Sequence, residues 1–513
     1  MLVKTFGSAV YGVNALTITI EVNVSSGKFF YLVGLPDNAV KECERRVESA
    51  IKTAGFYFPR TKVIVNLAPA DLRKTGTAFD LPIAIAILGA TGQIEEPEIL
   101  QEYVWMGELG LDGSILPIKG ALPIAIQTKN DSFKGLVVPA INSREAGMVE
   151  QLPVYGVQHL KEVLQFIKEP TSLKPVSINI QEEFNQQQTG YEIDFSDVKG
   201  QANIKRALEI AAAGSHNAIL IGPPGAGKTM LAKRLSSILP PLSLQEALET
   251  TKIHSVAGKL PLNSTMITQR PFRAPHHSIS DAALVGGGTN PQPGEISLSH
   301  NGVLFLDELP EFKRSVLEVM RQPMEERTVT ISRAKITLEF PASFMLIASM
   351  NPCPCGFFNH PEKECTCAPG TVQKYLNKIS GPLLDRIDLH VEVVPVAFNE
   401  LARTEQTESS NMVRQRVMRA RAVQQERYIQ RSGIYANAQI SGKLLKEVCQ
   451  IPMEGQDLLR KAMDRLNLSA RAYDRILKVS RTIADLDRSD NIKTNHLAEA
   501  IQYRSLDRQG WGG

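Results

Sequence analysis

Gly222-Pro223-Pro224-Gly225-Ala226-Gly227-Lys228-Thr229 follows the apolar run Ala218-Ile219-Leu220-Ile221 and precedes a helix-forming stretch from Met230 to Ile238. Every fixed position of the phosphate-binding loop pattern is filled, in the order buried strand, glycine-rich turn, helix. The glycines let successive backbone N–H groups turn toward phosphate oxygens, and Lys228 places a point charge at the β and γ phosphates. The Thr229 hydroxyl is a ligand for Mg²⁺. The eight residues and Met230 after them are therefore the expected binding segment for a nucleoside triphosphate.

Outward from this loop, Val303-Leu304-Phe305-Leu306 is a second apolar strand ending in Asp307-Glu308. One carboxylate there can hold Mg²⁺ and the other can polarise an attacking water. A third apolar strand, Phe344 to Met350, delivers Asn351, whose amide can orient that water. Lys228 and Asp307 lie farther apart than a minimal strand–helix–strand unit requires, so an insert is expected, and it contains Arg273-Ala-Pro-His-His277 and Leu284-Val-Gly-Gly-Gly288. Thr328 to Glu339 reads as a hairpin with Ser332 to Lys335 at its tip. Arg333 and Lys335 there are candidates for neutralising nucleic-acid phosphates, against the alternative of a structural hairpin with solvated charges.

Four of the six cysteines form two Cys-x-Cys pairs, Cys353/Cys355 and Cys365/Cys367, directly after Asn351. Four thiolates suit a closed tetrahedral zinc site, structural and noncatalytic. An iron–sulfur cluster, another soft metal or unligated thiols are the alternatives. His360 lies inside this loop and is expected to be exposed.

The chain has 513 residues and a net charge of +3, so it is long enough for several domains and no polyanion-binding class is argued by charge alone. No secretory signal pattern opens it, and its longest apolar run, Leu81 to Ala90, is too short for a bilayer; a cytoplasmic protein without membrane contact is expected. Residues 1–167 read as a compact α/β domain, with alternation over Leu16 to Val24 and helical stretches near Val40 to Ala54 and Leu81 to Leu88. A polar linker is expected over 168–192, the nucleotide-binding domain with its cysteine loop 353–367 over 193–397, and helical sequence over 398–513. The arginines from Arg414 to Arg431 are read as a solvated or domain-bridging helix face.

The order of these pieces resembles the AAA+ ATPases. Phe195-Ser-Asp-Val-Lys-Gly-Gln201 is similar to that family's adenine-flanking segment, Asn351 to its first sensor, Leu383-Leu-Asp-Arg386-Ile-Asp388 to its arginine-finger motif, and Leu468-Ser-Ala-Arg471-Ala-Tyr-Asp-Arg475 to its second-sensor helix. The resemblance makes Lys228, Asp307, Glu308, Asn351, Arg386 and Arg471 the catalytic set, with ATP and Mg²⁺ as cofactors. It implies a ring, expected to be a hexamer, in which Arg386 completes a neighbour's site. Without the family, surface salt bridges are the default reading of both arginines. The insert and hairpin resemble those of magnesium-chelatase motor subunits and MCM helicases.

Phe272-Arg-Ala-Pro-His-His277, Pro293-Gly-Glu-Ile296, Asn301 to Pro310 and Asn351-Pro-Cys-Pro-Cys-Gly356 together are similar to the ComM/YifB family of bacterial magnesium-chelatase-like proteins, over essentially the full length. Gly107 to Gly120 looks like the Lon-protease, S5-like fold. Aligned to the peptidase motif, Ala78 stands where the serine nucleophile belongs and Leu122 where the lysine belongs, so no proteolysis is expected. The expected fold is thus a Lon/S5-like N-terminal domain, an AAA+ parallel-sheet core with helix-2 insert and pre-sensor hairpin, and a helical lid. The resemblance implies an ATP-driven DNA motor, a branch-migration helicase acting on branched or single-stranded DNA in recombination or transformation. A chelatase-type motor and a remodeller recruiting a protein client through the N-terminal domain are the rivals.

Overall fold

The computed structural model describes residues 1–186, 193–261, 264–288, 291–333, 336–360, 362–395, 408–431, 433–466 and 468–504. The N-terminal part is built on a seven-stranded mixed sheet ordered Phe30–Val33, Lys62–Ala68, Asn14–Ser25, Leu2–Tyr11, Tyr103–Trp105, Gly135–Pro139, Val154–Val157. The alternation in Leu16 to Val24 places Ile18, Ile20 and Val22 in the core and their neighbours outward, as a two-residue side-chain period requires. Helix Asp80–Ala90 is apolar at every position after the first and is buried along its whole length. Its one charge, Asp80, is held by Arg46 through Nε and Nη2 at 2.6 and 3.1 Å.

Within the polar stretch after this domain, Ile180–Gln186 forms a helix, while 187–192 lie outside the described residues. Ile180 and Phe184 are buried against Leu122 and Met148 of the N-terminal part and Leu242, Ala247 and Met266 of the following one. The two parts are further joined where Gly120 N–H donates to the Ser255 carbonyl at 3.1 Å.

A five-stranded parallel sheet organises the next part in the order Phe272–Arg273, Val303–Leu306, Met345–Met350, Ala218–Ile221, Leu389–Glu392. Its three middle strands are buried throughout, which is why they read as continuous apolar runs. The expected insert contains helix Leu244–Ala257, opened by a Ser243/Glu246 capping box and closed by Gly258 at φ 65°. Strands Thr328–Arg333 and Ile336–Pro341 form the expected hairpin, with Arg333 opposite Ile336. Lys335 lies outside the described residues, and for Arg333 the structure describes the backbone only.

The remainder is helical: Ser410–Tyr428, Gly442–Val448, Met453–Leu466, Ala470–Leu486 and Thr494–Gln502. The arginine-rich helix bridges parts of the molecule. Arg414 donates to the Ser237 carbonyl, Arg416 pairs with Glu209, Arg421 reaches Ser215, and Arg427 binds Asp485 at 2.6 and 2.9 Å. Among the described residues no helix is long and apolar enough to cross a membrane.

Candidate nucleotide site and cysteine cluster

Strand Ala218–Ile221 ends in the glycine-rich turn, and helix Lys228–Ile238 begins at its last lysine. Gly225 and Gly227 have φ of 78° and 83°, a region where a side chain is strained, so the loop geometry itself demands glycine there. Gly222 answers a different need: a Cβ would sit 2.3 Å from the Val393 carbonyl oxygen of the adjoining strand's extension. The loop, the helix N-terminus and the carboxyl end of the sheet together form a corner with the geometry of an anion site.

Four of the expected catalytic groups converge on it. Lys228 Nζ donates to the carbonyls of Gly222 and Pro223 at 2.7 and 2.9 Å and to Asn351 Oδ1 at 3.1 Å. Burial lowers its affinity for a proton, while Asp307 and Glu308 oppose that loss. Thr229 Oγ1 donates to Asp307 Oδ2 at 2.8 Å, so the two expected Mg²⁺ ligands already face one another. Glu308 projects with a half-exposed side chain from a backbone at φ 54°, an uncommon region for a non-glycine residue. Such geometry leaves its carboxylate free to reach a water while Asp307 remains turned toward Thr229.

Sequence reasoning missed three supports of this arrangement. Ser349 Oγ donates to Asp307 Oδ1, and the Glu308 N–H reaches Ser349 Oγ at 3.4 Å. The pairing of Leu306 with Ala348 brings Ser349 to this point, a register that two continuously apolar strands do not announce in sequence. His277, from the insert motif, stands with Nδ1 3.6 Å from Glu308 Oε2. Gln201 Nε2 ties the Ala226 carbonyl to that of Val394 at 3.2 and 3.3 Å. These last contacts join residues far apart in sequence and left no local pattern.

Two expected residues lie elsewhere. Arg386 is buried, with Nη2 2.6 Å from Glu325 Oε1 and Nη1 donating to the Pro382 carbonyl at 2.6 Å. Arg471 is largely exposed at the start of helix Ala470–Leu486 and lies 3.6 Å from Asp385. Arg471 thus meets the residue that precedes Arg386, while Arg475 of the same motif is turned inward onto Asp388 at 3.1 Å.

The sulfurs of Cys353, Cys355, Cys365 and Cys367 all lie within 4.8 Å of one another. Cys353 is 3.7 Å and Cys355 3.5 Å from Cys365. Tetrahedral zinc with bonds of about 2.3 Å places its sulfurs roughly 3.8 Å apart, and a disulfide needs about 2.05 Å, so the donor set fits an ion and not a bridge. Cys353 Sγ also accepts the Phe358 N–H at 3.3 Å. His360 is half-buried instead of exposed, because its Nδ1 accepts the N–H groups of Glu362 and Lys363 at 3.0 and 3.1 Å.

The family models for the magnesium chelatase subunit ChlI match residues 194–401 and 20–142, and that for its C-terminal part matches 407–504. Competence protein ComM of Haemophilus influenzae is 45% identical over 510 residues, covering 99% of this chain and 98% of its own. The chain belongs to the ComM/YifB family of magnesium-chelatase-like AAA+ proteins. An uncharacterized YifB of Escherichia coli is 44% identical, covering 98% of this chain and 96% of its own length. Lon protease 2 of Bacillus subtilis is 29% identical over 154 residues, covering 27% of this chain and 26% of its own, which agrees with the Lon-like fold read from the sequence. Membership in this AAA+ family implies ATP and Mg²⁺ as the cofactors of the converged site.

Proposed function

We propose that this chain is an ATP-hydrolysing ring motor acting on DNA, a branch-migration helicase of recombination or natural transformation, working in the cytoplasm as a homo-oligomer, most simply a hexamer. In it Lys228 and Thr229 hold the triphosphate and Mg²⁺, Asp307 shares the ion, Glu308 polarises the lytic water, and Asn351 couples that water to the γ-phosphate. The observation that carries the reading is the hairpin Thr328–Arg333/Ile336–Pro341, which immediately precedes the strand ending in Asn351. Movement of a strand gripped at the tip by Arg333 and Lys335 would be transmitted directly to the sensor. The relative from Haemophilus influenzae is by name a competence protein, which suits a DNA-handling role. Arg386 acts on the adjoining protomer's nucleotide once it leaves Glu325, and Arg471 beside it serves as second sensor. Zinc occupies the four cysteines as a structural ion.

The N-terminal domain is a scaffold and not a peptidase. Ala78 and Leu122 carry neither nucleophile nor base, and Leu122 is covered by Leu242 and Ala247 of the motor. A protein client is the second reading, favoured by the edge strand Phe30–Val33, on which Tyr31 and Val33 are exposed and which Phe29 and Leu35, also exposed, flank.

ATP hydrolysis measured with four-way junctions, forked DNA and no DNA at two salt concentrations tests the proposal. DNA should accelerate turnover, less so at high salt, and Arg333→Ala with Lys335→Ala should remove the acceleration while leaving basal hydrolysis. No junction binding and no stimulation would transfer the motor to a protein client.

A further inference from the structure

We infer that the four-cysteine loop is a strut for the phosphate loop, so that metal at the cysteines and nucleotide at Gly222–Thr229 strengthen each other's binding. The inference rests on the zinc occupancy proposed above and adds to it a route by which the ion reaches the nucleotide. Gly356, next to Cys355, is buried at φ 84° directly beneath the exposed Pro224 of the phosphate loop. A Cβ on Gly356 would stand 2.5 Å from Pro224 Cδ and 3.2 Å from its Cγ, so backbone meets proline ring with no space between them. The Gly356 N–H donates to the Cys353 carbonyl at 3.0 Å and the Phe358 N–H to its sulfur, which closes a tight turn around that cysteine.

The same turn is fastened on its other side. Asn351, two positions before Cys353, accepts from Lys228 Nζ at 3.1 Å. The cysteine loop therefore touches the phosphate loop at two places, through a ring contact at Pro224 and a hydrogen bond at Lys228. Between Cys355 and Cys365 the described backbone forms neither helix nor strand. Its far half is brought to the near half by Cys365, whose sulfur lies 3.7 and 3.5 Å from those of Cys353 and Cys355. An ion bonded to both pairs fixes the far half to the turn and so fixes Gly356 under Pro224. Without it, the turn is free to withdraw, and a loop with Gly225 and Gly227 in left-handed conformations must be ordered by the nucleotide alone. Thermodynamic linkage then requires the effect to be mutual and equal in both directions.

The test uses the full chain. Zinc content is measured on the freshly purified protein, followed by zinc release to a zinc-selective chromophoric chelator with and without Mg²⁺ and a non-hydrolysable ATP analogue. The expected result is one zinc per chain, held about tenfold more tightly with the analogue, and an analogue affinity weakened by the same factor after zinc removal. Gly356→Ala, which presses on Pro224 without touching a sulfur, should keep its zinc yet bind the analogue about tenfold more weakly. Full zinc with release indifferent to nucleotide overturns the coupling, as does a zinc-loaded Gly356→Ala that binds the analogue as tightly as the wild type. Absence of zinc from the purified protein overturns instead the metal reading on which the coupling stands.

Discussion

The two ends of the five-stranded parallel sheet are both crowded with polar side chains, yet they do opposite things. At the carboxyl end, Lys228, Thr229, Asp307, Glu308 and Asn351 surround an open corner, and Glu308 is more than half exposed. At the amino end, His216 and Asp388 are buried against helix Ala470–Leu486, and Asn217 beside them is partly buried. Asn217 donates from its backbone to Asp388 at 2.9 Å and from its side-chain amide to the Arg386 carbonyl at 3.2 Å, and it accepts the Leu346 N–H at 2.9 Å. Asp388 also meets Arg475 at 3.1 Å, while His216 Nε2 lies 2.7 Å from Thr482 Oγ1. Desolvation alone would raise the Asp388 carboxyl; Arg475 and His216 hold it far below the usual carboxylate range. One end keeps its hydrogen-bonding capacity for a ligand, and the other spends it on joining three strands and the lid.

If this contrast is right, substitutions at the two ends should separate catalysis from stability. Lys228→Ala should have the largest kinetic effect, cutting ATP turnover by at least about a hundredfold while the urea midpoint moves little, because the lysine is buried at some cost. Turnover within tenfold of wild type would break the assignment of the open end. Asp388→Ala should do the reverse, costing about 3–5 kcal/mol of unfolding free energy by stranding Arg475 and His216, with turnover per folded molecule retained. Asn217→Ala, which leaves the Leu346 N–H without its acceptor, should cost about 1–3 kcal/mol in the same measurement.

A further effect, confined to alkaline solution, concerns pH. Burial pushes the Lys478 ammonium down to about 8, and Nζ donates to the Ala438 carbonyl at 3.1 Å. Between about pH 8 and the unfolded value near 10.4, the unfolded chain binds more protons than the folded one, so stability should rise with pH across that window. Lys478→Met should flatten the rise, read as a difference of up to about 3 kcal/mol between the two proteins' pH profiles. Parallel profiles would show that this lysine is solvated.

The open end was legible because its chemistry is written locally. A glycine-rich loop after an apolar run, an acidic pair ending a second run and a polar residue ending a third each needed only a few adjacent residues. The hairpin and the Asn14–Ser25 strand were legible for the same reason, through period-two alternation. The amino end was opaque, since Asn217 has no partner within its own neighbourhood and Asp388 sat inside a motif whose interest was Arg386. Arg386 itself shows the limit: its pairing with Glu325 depends on how helix Arg321–Glu326 packs, which no spacing announces. The cysteines declared a donor set in sequence, but only the fold revealed that Gly356 lies under Pro224.

Burial of Leu122 has a mechanical consequence. Helix Leu244–Ala257 spans about 21 Å at 1.5 Å per residue, and the N-terminal domain grips it at Ser255, through the Gly120 N–H, and near its start, through the apolar cluster at Ala247. A rod clamped toward both ends cannot pivot independently of its clamp. Any tilt of the insert would therefore carry the N-terminal domain with it, as a socket follows the lever seated in it.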